Sequence, residues 1–267
     1  TGNFYLLGGQ QYLMLPVNGD WCPTYAVEAN SVAGLNEGGD FGYDLSSNFP
    51  GPAATGMYKI SVDFQHGTFT VTTINVFTQL YVPGDYQSWS PETAPALASP
   101  NNDGNYEGYI NVPAGGSYEF KITSEPDWNG TAYGDGGGGT LSTNAGNLTF
   151  PGAGYFKVNA DLNANTWTLT QTTWSLIGSF AASGWSNDID MSFDAGSNSW
   201  SGTITIADGD EFKFRSNHDW GLNYGDTGAD GTLEGGGDNL KGFAAGTYTV
   251  TLYLNNAGFY TYKLVKQ

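Results

Sequence analysis

Short runs in which apolar and polar side chains alternate recur along most of the chain: YKISVDF, GYINV, YEFKI, YFKVNADL, TWTLT, GTITI, FKFR and TYTVTLYL. Period-two alternation, β-branched and aromatic residues at the apolar positions, and Gly, Asn and Asp at the boundaries all predict strands. No stretch carries the three-and-four spacing of an amphipathic helix. The pattern therefore predicts an all-β chain of immunoglobulin-like antiparallel β-sandwich modules, with the apolar alternates of each strand facing an inter-sheet core.

The strands also repeat. FKITSEPDWNGTAYGDG and FKFRSNHDWGLNYGDTG share one frame: Phe-Lys on an alternating run, a polar turn, Asp-Trp, then Tyr-Gly-Asp. Their tryptophans, Trp128 and Trp220, lie 220 − 128 = 92 positions apart, the length of a small β module. Every flanking element follows in the same order, and glycines fall at matching corners: Gly84 with Gly178, Gly108 with Gly202, Gly154 with Gly246. A tandem duplication accounts for this. The expected modules are residues 76–172 and 173–267, preceded by a partial, degenerate module at residues 1–75. That first segment matches only the later strands of the repeat and lacks its opening, so an earlier N-terminal extension is expected. The boundaries near Asn75 and Thr172 leave linkers short enough to predict a rigid string of modules.

Composition narrows the function. With 8 basic against 26 acidic residues the net charge is −18, which repels nucleic acid and anionic membranes. The single cysteine, Cys22, excludes an intrachain disulfide and a cysteine-rich zinc site. No apolar run is long enough for a membrane helix, and no signal peptide opens the chain, so a targeting segment of a surface protein is expected to have been removed.

Catalysis and metal binding find little support. A glycosidase needs two carboxylates astride the scissile bond, but Asp127, Asp135, Asp219 and Asp226 recur between modules beside glycines, which predicts turn chemistry. His66 and His218 fall in different modules, and no G-x-S-x-G elbow exists. DTGADGTLEGGGD supplies oxygens without the spacing of a calcium loop, and its counterpart DGGGGTLSTNAGN loses most of the acids. No enzyme activity, metal or cofactor is expected.

Sugar binding fits better. A pyranose offers a face of C–H bonds and a rim of hydroxyls, met by aromatic rings and by planar or charged hydrogen-bonding groups. Two angled aromatics can cradle a curved α-glucan. Trp89 lies in the loop after an opening strand, Trp128 in the loop after the Phe-Lys strand, and Lys121 between them; the matching set is Trp185, Trp220, Lys213 and Arg215. Tyr133 and Tyr224 are further candidates, with core packing as the alternative. For Trp128 and Trp220 the alternative is a staple holding a loop to the sandwich, and for the lysines a solvated outer face. Thr123 occupies the position of Arg215, so a scheme common to both modules cannot require the arginine. Trp167, Phe69 and Phe259 read as core; Trp174 and Trp200 are unassigned.

LYVPGDYQSWSPETAPAL, YEFKITSEPDWNGTAYGDGGG and NLTFPGAGYFKVNADLNANTWTLT together resemble the SusE/SusF family, over roughly Phe77 to Gln267 and in part before it. The resemblance implies non-catalytic outer-membrane lipoproteins on the cell surface that capture starch or a related α-glucan. In them paired aromatics stack on glucose units and a Lys or Arg with nearby Asn groups bonds sugar hydroxyls. It also implies a polysaccharide partner, a TonB-dependent transporter with its glycan-binding lid lipoprotein, and a lipid anchor on an N-terminal segment absent from this chain, since Cys22 lies too deep to serve. The competing reading is a structural or accessory subunit of such an uptake complex with little glycan binding of its own.

Overall fold

The computed structural model describes residues 2–16, 21, 23–54, 56–74 and 79–267; Cys22 and the boundary expected near Asn75 lie outside them. The chain forms two compact units, Thr1–Val76 with Asn101–Gly104, and Phe77–Pro100 with Asn105–Gln267. Both are built from antiparallel strands, as the alternation predicts. The helical elements among the described residues are three single turns of 3-10 helix, Leu35–Glu37, Asp85–Gln87 and Pro91–Thr93.

In the first unit the strands Gly2–Leu6, Gly56–Asp63, Thr68–Ile74 and Gly38–Asp40 form a sheet in that order. Its core is small and aromatic: Phe41, Phe49, Tyr58 and Phe69 pack with Val27, Ile60 and Val71. Tyr12 stacks on Phe49 with 5.2 Å between ring centroids.

The second unit holds a barrel and a nine-stranded sheet with one strand circuit, and a two-stranded ribbon pairs Glu119–Phe120 with Leu148–Thr149. Residues 79–171 close into a barrel that runs Gln79–Tyr81, Ala96–Ala98, Asn105–Val112, Gly154–Asp161, Thr166–Gln171, Thr140–Ser142, Ala132–Gly137 and Ile122–Thr123. The Thr123–Tyr81 pairing closes it, so the two layers of the sandwich are joined edge to edge. Residues 174–266 repeat the circuit as a nine-stranded sheet, in which the counterpart of Ala96–Ala98 is split into Ile189–Asp190 and Ser192–Asp194 around Met191.

Alternation sets the inner faces. Along Asn105–Val112 the residues Tyr106, Ile110 and Val112 point into the barrel core, and along Gly154–Asp161 so do Phe156, Val158 and Ala160. Burying an Ile, Val or Phe side chain in this way contributes about 1.5–3 kcal/mol. On the outer face of these two strands Tyr109 and Tyr155 are buried as well. Tyr109 and Tyr155 stack at 5.8 Å and join the core of the following sheet with Trp174, Trp200, Tyr224 and Tyr260. Trp174 and Trp200, unassigned from sequence, are thus core residues. The segment between the sheets is pinned: Asn217 accepts from the Thr173 N–H at 2.8 Å and donates to the Gln171 carbonyl at 2.8 Å.

One core expectation needs correction. Phe69 is buried and Trp167 packs against the barrel core, but Phe259 is 56% exposed, and its neighbour Tyr260 is buried instead. Seven residues, 254–260, separate the paired Tyr253 and Thr261, where only four, 162–165, separate Asp161 and Thr166. The longer turn carries Phe259 onto its tip and leaves Tyr262 in the place of Trp167.

Candidate functional site

The barrel and the nine-stranded sheet each carry a pair of tryptophans, Trp89 with Trp128 from two loops, and Trp185 in a loop with Trp220 at the start of the strand Asp219–Gly225. Trp89 and Trp128 have ring centroids 6.4 Å apart and planes tilted by 39°. Trp185 and Trp220 repeat the arrangement at 6.2 Å and 37°. Trp128 and Trp220 are 49% and 46% exposed, and Trp89 and Trp185 are half-buried.

The loops that deliver the rings are built alike. After the opening strand the chain passes a glycine pressed against the neighbouring backbone: a Cβ on Gly84 or Gly178 would run into the carbonyl oxygen of Glu119 or Glu211. It then doubles back so that the N–H of Trp89 donates to the Gly84 carbonyl at 2.8 Å, and that of Trp185 to the Gly178 carbonyl at 2.7 Å. Both tryptophans reach this position with φ at 59°, following Ser88 at 62° and Gly184 at 53°. The left-handed region disfavours an L-residue by about 1–2 kcal/mol, and a bulky side chain is seldom found there. Such strain concentrates at ligand clamps, where the surroundings over-determine it.

The second ring of each pair sits beside an Asx turn. Asp127 accepts from the Asn129 N–H at 2.7 Å, and Asp219 from the Gly221 N–H at 2.7 Å. In the nine-stranded sheet a two-residue hairpin, Asn217–His218, precedes it with φ of 53° and 55°, the left-handed pair such a turn requires. Asp135 likewise accepts from the Gly137 N–H at 2.8 Å. Asp226 is buried and accepts from the N–H groups of Asp230 and Gly231 and from the Tyr262 hydroxyl at 2.8 Å. All four repeated aspartates therefore build turns. Among the described residues no three His, Cys, Asp or Glu side chains cluster as a metal site would need.

The polar candidates divide. Lys121 donates to the carbonyls of Ala145 and Gly146 at 2.6 and 2.9 Å, tying down the loop before Leu148. Lys213 occupies the same strand position; partial burial pulls its ammonium below the usual lysine value, and Asp238 opposes the shift. Arg215, the chain's sole arginine, lies 4.8 Å from the Trp220 ring centroid, in cation–π range. Its guanidinium is held by Asp188, with Nε donating to Oδ1 at 2.7 Å and Nη2 donating to Oδ2. The arginine holds the Asp188 carboxyl below the usual carboxylate range, with burial opposing.

Tyr133 is only 7% exposed and belongs to the barrel core, where burial raises its phenol pKa. Tyr224 is buried too, stacked on Trp174 at 5.4 Å. Sequence reasoning passed over Asp188. Its one available signal was the need of a lone buried arginine for a carboxylate, and many acids could have met it.

The family model described as a domain of unknown function, DUF5111, matches residues 84–172. Comparison with curated protein sequences finds no match. Among solved structures the chain is similar to SusF from Bacteroides thetaiotaomicron, with 18% identity and a TM-score of 0.50, over 93% of this chain and 61% of that one. The fold is therefore SusE/SusF-like, and the chain spans less than two thirds of the SusF structure.

Proposed function

We propose that this protein is a non-catalytic glycan-binding protein that captures starch or a related α-glucan at two tryptophan cradles. The observation that carries the reading is the duplicated cradle. Two rings tilted by nearly the same angle recur at nearly the same spacing, each with one member held in a disfavoured backbone conformation. A twofold tilted aromatic surface follows the curvature of a helical α-glucan better than the flat ribbon of a β-linked chain. Half-exposed indoles on polar loops invite association unless a ligand uses them. Trp89, Trp128, Trp185 and Trp220 stack on sugar faces, Lys121 and Lys213 supply polar groups at the rim, and Arg215 lies against the Trp220 ring.

Each stacking contact contributes on the order of 1 kcal/mol beyond its buried area, and with that area and a few hydroxyl bonds an isolated site is expected to bind at about millimolar to high-micromolar affinity. Two sites on one polymer add avidity without new contacts. The family resemblance and the SusF-like fold support a place on the extracellular face of the outer membrane. There a lipid anchor holds the protein beside a TonB-dependent transporter and its glycan-binding lid, and it passes polysaccharide on without cleaving it. Calorimetric titration with a linear maltooligosaccharide tests the reading, with a β-linked oligosaccharide as control. Binding of the first alone, weakened by Trp89→Ala and by Trp185→Ala and abolished by both, is expected. Undiminished binding in the folded double variant, or no binding by the native protein, overturns it.

A further inference from the structure

The two cradles are alike in their rings but not in what holds them. Asp188 lies three positions after Trp185, in the same loop. Its Oδ1 accepts from the hydroxyl of Ser175, a fully buried strand residue, at 2.6 Å and from Arg215 Nε at 2.7 Å, and its Oδ2 accepts from Arg215 Nη2. Arg215 in turn lies against the face of Trp220. The ion pair is nearly closed to solvent, with side chains 10% and 8% exposed. It therefore links the loop of one tryptophan to the ring of the other. A second link, His218 Nε2 to Asp190 Oδ1 at 2.6 Å, joins the same two segments on the exposed rim, where an ion pair contributes little.

The first cradle is held differently. Thr123, in the position of Arg215, donates its hydroxyl to the Glu125 carbonyl at 2.9 Å, within its own loop. Asp85, in the Trp89 loop, accepts from Ser117 and Tyr118, away from the Trp128 loop. Ring contact is what joins Trp89 to Trp128.

Resting on the glycan-binding reading, we infer that Asp188 is a positioning residue that locks Arg215 against Trp220, pre-organises the Trp185–Trp220 cradle and makes it the stronger of the two sites. A loop and a ring already ordered lose less conformational freedom when a ligand binds, so more of the contact energy becomes affinity. The bidentate fork matters here. An asparagine amide keeps the shape but loses the charge, and a lysine ammonium keeps the charge but loses the fork.

The test uses the whole chain carrying Trp89→Ala, which leaves the third-module cradle to report alone, titrated with a linear maltooligosaccharide. Asp188→Asn in that background is expected to weaken binding about tenfold, the effect of losing one buried anchor's support. Asp188→Glu is expected to recover part of it, while Asp188→Asn beside Trp185→Ala leaves the first cradle unchanged. Far-ultraviolet circular dichroism reads the tilted indole pair directly, and Asp188→Asn is expected to reduce its exciton couplet. If Asp188→Asn does not fold, Arg215→Lys breaks the same fork and is read the same way. Unchanged affinity and an unchanged couplet overturn the inference while the cradle reading stands. If the native protein does not bind the sugar, the functional reading fails, and the couplet alone decides whether Asp188 positions the rings.

Discussion

The hydroxyls of Tyr109 and Tyr224, 115 positions apart, lie 3.0 Å from each other in a buried aromatic cluster. Tyr109 projects from the outer face of the barrel, and Tyr224 lies on the same strand, Asp219–Gly225, as Trp220. Trp174 and Tyr260 complete the cluster, with centroids 6.0 and 5.3 Å from that of Tyr109. The barrel thus lends Tyr109 and Tyr155 to the core of the nine-stranded sheet, and the two cradles belong to one compact unit.

Removing a ring from that cluster should separate the sheets. Tyr109→Ala is expected to destabilise the protein by about 3–5 kcal/mol, the range for emptying a buried aromatic site. In scanning calorimetry, melting of the second unit should divide into two transitions. A single unshifted transition would show that the shared core contributes little.

Backbone strain at the cradle makes an opposite-signed prediction. At Trp185, whose φ is 59°, Trp185→Gly is expected to be about 1 kcal/mol more stable than Trp185→Ala, because only glycine adopts this conformation without strain. Both variants should lose the third-module site equally. Equal melting temperatures would show that the left-handed turn is unstrained.

Gly134 and Gly225 sit where a Cβ would overlap the carbonyl oxygens of Gly146 and Asp238. Since the obstacle is backbone, Gly225→Ala should cost about 1–3 kcal/mol, as overpacking does. Gly228→Ala, facing open space but at φ 96°, separates backbone strain from collision. Chemical denaturation of the two variants gives the comparison, and a smaller loss in Gly225→Ala would contradict it.

The Asp188–Arg215 pair has a defined pH dependence. Its carboxyl is depressed by the arginine, so its contribution is complete above the unfolded value near 3.9 and is lost as pH falls through the lower folded value. The melting-temperature gap between the native protein and Asp188→Asn should therefore stay constant from about pH 5 to 8 and close below about pH 4. At the alkaline end, burial raises the Tyr109 and Tyr224 phenols. The unfolded chain then ionises first, and stability should fall as pH rises above about 10. A gap that closes near neutrality would place the coupling elsewhere.

Much of the fold was legible because strand alternation and glycine-bounded corners are local. The strands of the barrel and of the nine-stranded sheet follow the alternating runs, and the duplicated Asp-Trp phrase marks one tryptophan of each cradle. Phe259 was misread because alignment by motif cannot register a turn three residues longer than its counterpart. Tyr133 was ambiguous because a Tyr-Gly corner has the same spelling whether its ring faces a core or a ligand.

By itself, the sequence determined the strand-forming pattern, the repeat and the turn-building role of its aspartates, since each is carried by side-chain type along the chain. Only the tertiary structure decided which faces are buried twice and which carboxylate holds the arginine. Tyr109 alternates outward along its strand like a surface residue, and it becomes core only because another sheet lies on it. Asp188 meets Arg215 across 27 positions, and among 26 acidic residues nothing but the path of the chain in space selects the one that does.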